Sequence, residues 1–191
     1  MTHTICILQG HPHSDPAHFC HALAGAYAEG ADEGGHTVSY FDIGAMDLPF
    51  LRDPKDFATP APEAVRQVQQ AVLQADHLVI VYPLWLGTMP ALVKAFFEHF
   101  ARANFAIEAN AKGWPRQMLK GRSARVIVTM GMPAAAYRLM FGAHGVKGFE
   151  TGILGMAGIG PIHETLIGGV DDEKHRAEWL RKVRDQGVRG D

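Results

Sequence analysis

The stretch from Leu78 to Val93 carries no charged side chain, and this restricts the possible folds more than any other feature of the chain. A membrane helix needs about 20 consecutive apolar residues; this run is shorter and is broken by Pro83, Gly87 and Pro90. Residues 77–100, HLVIVYPLWLGTMPALVKAFFEHF, therefore read as a buried strand over His77–Tyr82, a turn at Pro83 and a helix starting at Pro90. Thr88 is a candidate cap for that helix, with proline at an early helical position. A strand with no polar alternation is covered on both faces, the situation of a central strand in a parallel sheet. Trp85 is expected on the loop that follows.

Thr4–Gln9 and Ala124–Thr129 are apolar in the same way, and Thr37–Phe41 and Ile162–Ile167 bring the strands to five. Helices fall between them. Pro16–Glu33 has Phe19, Leu23 and Tyr27 at helical spacing and ends on Gly34–Gly35. Glu63–Ala75 places Val65, Val68 and Val72 on one face; a short helix is expected around Phe149–Met156, and a last one over Asp171–Arg184. Gly44–Pro62, with four prolines, and residues 102–121, with Trp114–Pro115, read as irregular. The alternation specifies one α/β domain over residues 1–191. Five βα units fit a flavodoxin-like doubly wound parallel sheet, order 2-1-3-4-5 with helices on both faces, better than a six-stranded dinucleotide fold.

A net charge of −2, from 18 basic and 20 acidic residues, gives a nucleic-acid partner no electrostatic support. Two cysteines make no disulfide framework, and Cys6, inside the first strand, reads as a small hydrophobe. The start, MTHTICILQG, has no basic flank and runs straight into a strand, so it does not read as a signal peptide. A cytoplasmic protein is expected.

In a sheet of this type ligands sit outside the carboxyl ends of the strands. Three loops should meet there: Gly10–Ala17, Pro83–Met89 and Gly131–Gly148. The first turns directly into a helix, whose free N–H groups favour a phosphate, with Ser14, His11, His13 and His18 as further donors. Taken alone it suits a plain βα turn with solvated histidines equally well. A zinc site from His11, His13, His18 and His21 is the weaker alternative, since no carboxylate or cysteine stands at matching spacing. No GxxxxGK[ST] and no strand-linked GxGxxG exists, which disfavours a triphosphate or a Rossmann-bound NAD. Tyr137 and His144, in the third loop, are candidate donors to a developing oxyanion.

The motifs GHP…F…AL at 10–23, YPLW…PALVKAFFEHF at 82–100 and T-x-G…Y…G-x-H-G at 129–145 resemble the flavodoxin-like NAD(P)H:quinone oxidoreductases, which include the ancillary reductases of potassium efflux systems. The resemblance implies FMN, or alternatively FAD, as cofactor, NAD(P)H as reductant, a quinone-like acceptor and a homodimer. It implies that His11, Ser14, His18 and Phe19 hold the flavin phosphate. Pro83, Leu84, Trp85 and Leu86 would line the ring, Thr129, Met130 and Gly131 would close its other edge, and Tyr137 and His144 would be the catalytic pair; no metal is expected. The chain departs from the pattern where His18 and Cys20 replace serine and asparagine, and where Leu86 replaces a frequent second tryptophan. Alternatives are a flavodoxin-type electron carrier or an inactive regulatory subunit on the same fold.

Overall fold

The structure is a computed structural model that describes residues 2–108 and 113–191. Strands β1 (Thr4–Gln9), β2 (Thr37–Asp42), β3 (His77–Pro83), β4 (Ser123–Met130) and β5 (Ile162–Gly168) form one parallel sheet in the order 2-1-3-4-5. Every residue of β3 is buried. Successive side chains of a strand point to opposite faces, and both faces are apolar here. Cys6, Leu8, Leu78, Ile80, Val126 and Val128 pack into one layer, with Val65 and Val68 of α2 (Glu63–Gln74) and Val93 and Phe96 of α3 (Ala91–Phe100). Ile5, Ile7, Val79, Val81 and Ile127 pack on the other side, against α1 (Phe19–Glu33) and the C-terminal helix Glu173–Arg189.

Helix α1 starts three residues later than the apolar spacing suggests. Asp15 accepts a hydrogen bond from the Ala17 N–H at 2.9 Å, and this side-chain turn competes with helix. His18 then stays extended (φ −71°, ψ 140°) as the N-cap, with no side-chain cap bond. Thr88 does not cap α3, because the N-cap position falls on Pro90. Two further differences concern the segment after β4. It contains a helix, α4 (Ala134–Phe141), where a loop was expected, and α5 (His144–Phe149) runs into a π-helical turn over Glu150–Gly155 in place of the simple short helix. The last helix, α6 (Glu173–Arg189), is capped by Asp172, which accepts from the N–H groups of Lys174 and His175. Within 102–121, Ile107–Glu108 pairs antiparallel with Arg116–Gln117; residues 109–112 of that segment lie outside the described residues. Among the described residues no helix is long and apolar enough to cross a membrane.

Two contacts depend on glycine. Helices α1 and α6 approach so closely that a Cβ on Gly30 would lie 2.0 Å from the Arg184 carbonyl oxygen, and one on Gly187 2.2 Å from that of Tyr27.

His77, at the start of β3, is buried; its Nδ1 meets the Ser123 hydroxyl at 2.7 Å and its Nε2 has no partner among the described residues. Burial first, then nearby Arg125, pushes its pKa down to about 4. A depressed histidine pKa means that the folded state resists a proton the unfolded chain accepts. Its stabilising contribution is therefore complete above pH 6.5 and is lost as pH falls toward 4, at about 1.4 kcal/mol per pH unit. Urea titrations at pH 7 and pH 5 should show a midpoint shift that largely disappears in His77→Asn; an equal shift in both proteins would assign the acid sensitivity elsewhere.

Candidate functional site

The register fixes where the loops emerge. Pro83, ending β3, is level with Thr129 of β4, and Gln9, ending β1, is level with Val81. The β1, β3 and β4 loops thus leave one rim of the sheet. The Leu84 N–H donates to the Thr129 carbonyl at 2.7 Å, which ties the second loop to β4. Trp85 and Thr88 then close a tight turn with reciprocal backbone bonds of 2.9 and 3.1 Å. Its two central residues both have positive φ, 50° at Leu86 and 84° at Gly87. Glycine takes that conformation freely, whereas a leucine pays about 1–2 kcal/mol. The turn holds Leu86 fully in solvent beside the half-exposed Trp85.

Two clefts flank Trp85. The smaller, about 380 Å³, is lined by His11, His18, Phe19, Pro83, Leu84, Trp85, Thr129, Met130 and Gly131, with Cys20 and Val170. Residues from all three loops therefore share one cavity. Ser14 is exposed and stands outside this lining, as does Leu86. The larger cleft, about 870 Å³, lies on the other side of Trp85 and includes Leu86, Met89, Lys94, His144, Phe149 and Ile153 in its walls. Its surface is mostly apolar, with Thr88, Lys94 and His144 as the polar side chains. Val170, after β5, and the wall built by the π-helical turn had no sequence signal beyond glycine content.

Tyr137 and His144 do not play equivalent parts. His144 is exposed on the wall of the larger cleft. Tyr137, on α4, is buried and lines neither cleft. Its hydroxyl donates to the Gly87 carbonyl at 2.9 Å and accepts from the N–H groups of Gly145 and Val146. Burial holds this phenol above its usual pKa range. Tyr137 thus clamps the Trp85–Thr88 turn to the start of α5. The fit is tight: a Cβ on Gly145 would lie 2.1 Å from the Gly87 oxygen.

The β1–α1 loop carries an imidazole cluster. His11 and His18 stack with centroids 3.8 Å apart, and His13 Nδ1 meets His18 Nε2 at 2.9 Å. His21 meets the Gln9 amide at 2.8 Å and the His13 carbonyl at 3.1 Å. Among the described residues no group of three or more His, Cys, Asp or Glu is arranged to hold a metal ion. Cys6 and Cys20 are buried and unpaired, and burial pushes both thiols up to about 12.

The chain is similar to known proteins in sequence and in fold. Residues 3–186 match the Flavodoxin_2 family, described as a flavodoxin-like fold. Among curated relatives, an uncharacterized NAD(P)H oxidoreductase of Haemophilus influenzae is 26% identical over 69% of this chain and 66% of its own length. An FMN-dependent NADH:quinone oxidoreductase of Bordetella bronchiseptica is 26% identical over 52% of this chain and 53% of its own. The chain thus spans between about half and two thirds of the length of these relatives. Among solved structures, Smu.1420 of Streptococcus mutans is 26% identical with a TM-score of 0.77, covering 97% of this chain and 98% of that one. An NAD(P)H:quinone oxidoreductase of Methanothermobacter marburgensis, 21% identical, has a TM-score of 0.80 and covers each chain fully, a likeness of fold. With sheet order, rim geometry and a family match over residues 3–186 in agreement, the chain belongs to the Flavodoxin_2 family.

Proposed function

We propose that the protein is a flavin-dependent NAD(P)H:quinone oxidoreductase with FMN as its cofactor, reducing a quinone or similar flat acceptor. The observation that carries this reading is the pair of clefts sharing Trp85. One offers a helix N-terminus and imidazoles at one end and an apolar strip at the other; its neighbour is a broad apolar space for a second flat molecule. The donor set fits a flavin phosphate and ring. Open N–H groups of the first turn of α1, together with His11 and His18, suit the phosphate. Pro83, Leu84 and Trp85 on one side and Thr129, Met130 and Gly131 on the other suit the ring. The curated Bordetella relative, named FMN-dependent, gives the same direction.

Bound flavin supplies the hydride chemistry, accepting from NAD(P)H and passing to the acceptor. The protein's part is placement and charge. Trp85 divides the two clefts, and the bond from the Leu84 N–H to Thr129 fixes its loop. The apolar wall of Met89, Phe149 and Ile153 excludes water around the acceptor. His144 is the side chain placed to donate a hydrogen bond or a proton to the acceptor oxygen. Tyr137 serves as a positioning residue, through the Gly87 carbonyl.

Leu86, on the wall of the larger cleft, and Leu139, Met140 and Phe141 of α4 are exposed apolar side chains. Surface of this kind suits a second copy of the chain, and a homodimer closing that cleft is part of the proposal. Sedimentation equilibrium tests it.

Purified protein is expected to be yellow, to release FMN on denaturation by mass analysis, and to bleach directly on mixing with NADH or NADPH in a stopped-flow instrument. A flavodoxin-type carrier would hold flavin but bleach only through a separate reductase. A protein that takes up no added flavin would end the reading and leave the scaffold alternative.

A further inference from the structure

We propose that His11, His13 and His18 of the β1–α1 loop, with His21 of α1, form a proton-linked phosphate cradle, in which FMN is captured together with protons. The inference rests on the flavin reading above and concerns what this chain uses in place of hydroxyl and amide donors. The helix brings no side-chain cap of its own, so the N–H groups of Phe19 and Cys20 lack intrahelical acceptors and the positive end of the helix is open. Ser14, the only hydroxyl in the loop, is exposed and stands outside the cleft. The polar side chains that line this end of the cavity are imidazoles, His11 and His18, backed by His13 and His21.

The cluster is crowded. His11 lies 3.8 Å from His18 and 6.2 Å from His21, centroid to centroid, and His13 contacts His18. Without a ligand, charging one ring opposes charging the next. His11 is held below its ordinary pKa, chiefly by burial; a bond to the His13 backbone raises it in part, and the neighbouring His18, His21 and His13 lower it further. A phosphate carrying about −1.5 to −2 charges reverses that balance, since it favours the charged imidazole and bridges rings that otherwise repel.

The other charged and titratable groups around the loop do not supply this response. Asp15, in the same loop, is exposed and held below its usual range by its bond from Ala17. Asp42, from the end of β2, accepts from the Gln9 amide and the Gly44 N–H. Arg176 of α6 sits over the Phe19 ring at 5.0 Å and keeps its charge throughout. Burial holds Tyr40 of β2 and the Cys20 thiol, which contacts Thr129 of β4, up to about 12, so both remain neutral. Imidazole is the side chain at this end of the cleft whose protonation a bound phosphate can drive.

The test compares FMN with riboflavin, which has the same ring and no phosphate, by fluorescence-quenching titration of flavin-free protein at pH 6.5 and 8.5. Uptake of one proton makes binding up to tenfold tighter per pH unit. FMN is expected to bind at least tenfold more tightly at pH 6.5, riboflavin equally at both. Titration calorimetry in two buffers of different ionisation enthalpy should register net proton uptake with FMN only. His18→Ser, and independently His13→Asn, should flatten the FMN response while retaining riboflavin binding. An FMN affinity equal at both pH values, or a riboflavin response as steep as that of FMN, overturns the cradle and leaves the flavin site intact. Failure of both flavins to bind at either pH overturns the cradle and the flavin reading together.

Discussion

A Gly145→Ala protein is expected to remain folded and to lose about a hundredfold in kcat/KM for NAD(P)H-driven quinone reduction. The reason is local and steric. The added methyl would stand 2.1 Å from the Gly87 carbonyl oxygen and 2.9 Å from the Thr88 Cα, both main-chain atoms that no rotamer change can move. The Trp85–Thr88 turn has to shift by an ångström or more to restore ordinary contact. That displacement lengthens the 2.9 Å bond from Tyr137 to Gly87 and carries Trp85 out of the wall between the clefts. Reaction geometry tolerates little: a misplacement of about 1 Å away from the chemistry costs around 10²-fold. Gly145 stands between the buried Ala143 and Val146, so the urea midpoint should fall as well, while far-ultraviolet circular dichroism should stay close to that of the parent. Tyr137→Phe removes the clamp without adding bulk, and its loss should be smaller, about tenfold. A Gly145→Ala enzyme within threefold of the parent would show that the turn does not set the site.

The largest stability effect is expected from two alanines in one helix, with opposite signs. Gly30→Ala in α1 places a methyl 2.0 Å from the Arg184 carbonyl oxygen and 3.1 Å from the Val188 nitrogen, so α1 and α6 have to separate along their contact. Overpacking of this kind costs about 3 kcal/mol or more when the obstacle is backbone. For a domain of this size that lowers Tm by about 6–12 °C. Gly25, in the same helix, has nothing within 4 Å of a built Cβ. Its replacement by alanine should stabilise by about 0.5–1 kcal/mol through helix propensity alone. Differential scanning calorimetry of both variants decides the matter, and equal shifts in the same direction would refute the close-packed crossing.

The central strands were legible because burial on both faces erases polar alternation. His77–Pro83 and Ser123–Met130 announce themselves as interior strands, and strand count with helix alternation leaves few orders open. The meeting of three loops at one rim follows from that order, which is why so many of the expected residues line one cleft. What escaped depends on contacts between distant segments. The side-chain turn at Asp15 moved the start of α1, and helix α4 arose where an Ala-rich stretch looked like loop. Tyr137 looked like a donor toward the ligand, but its hydroxyl is committed to Gly87, fifty residues away. Nor does spacing reveal that Gly30, Gly145 and Gly187 face main-chain atoms within 2.2 Å of a missing Cβ.

Strand β3 lies between β1 and β4 and is wholly buried. During synthesis from the amino terminus, its hydrogen-bonding partner on one side becomes complete only when Met130 has been added. For that interval the nascent chain presents an open, uncharged edge from Leu78 onward, the kind of segment to which other chains adhere. The arrangement that secures the finished interior thus makes the unfinished polypeptide dependent on rapid elongation or on an escort at the ribosome.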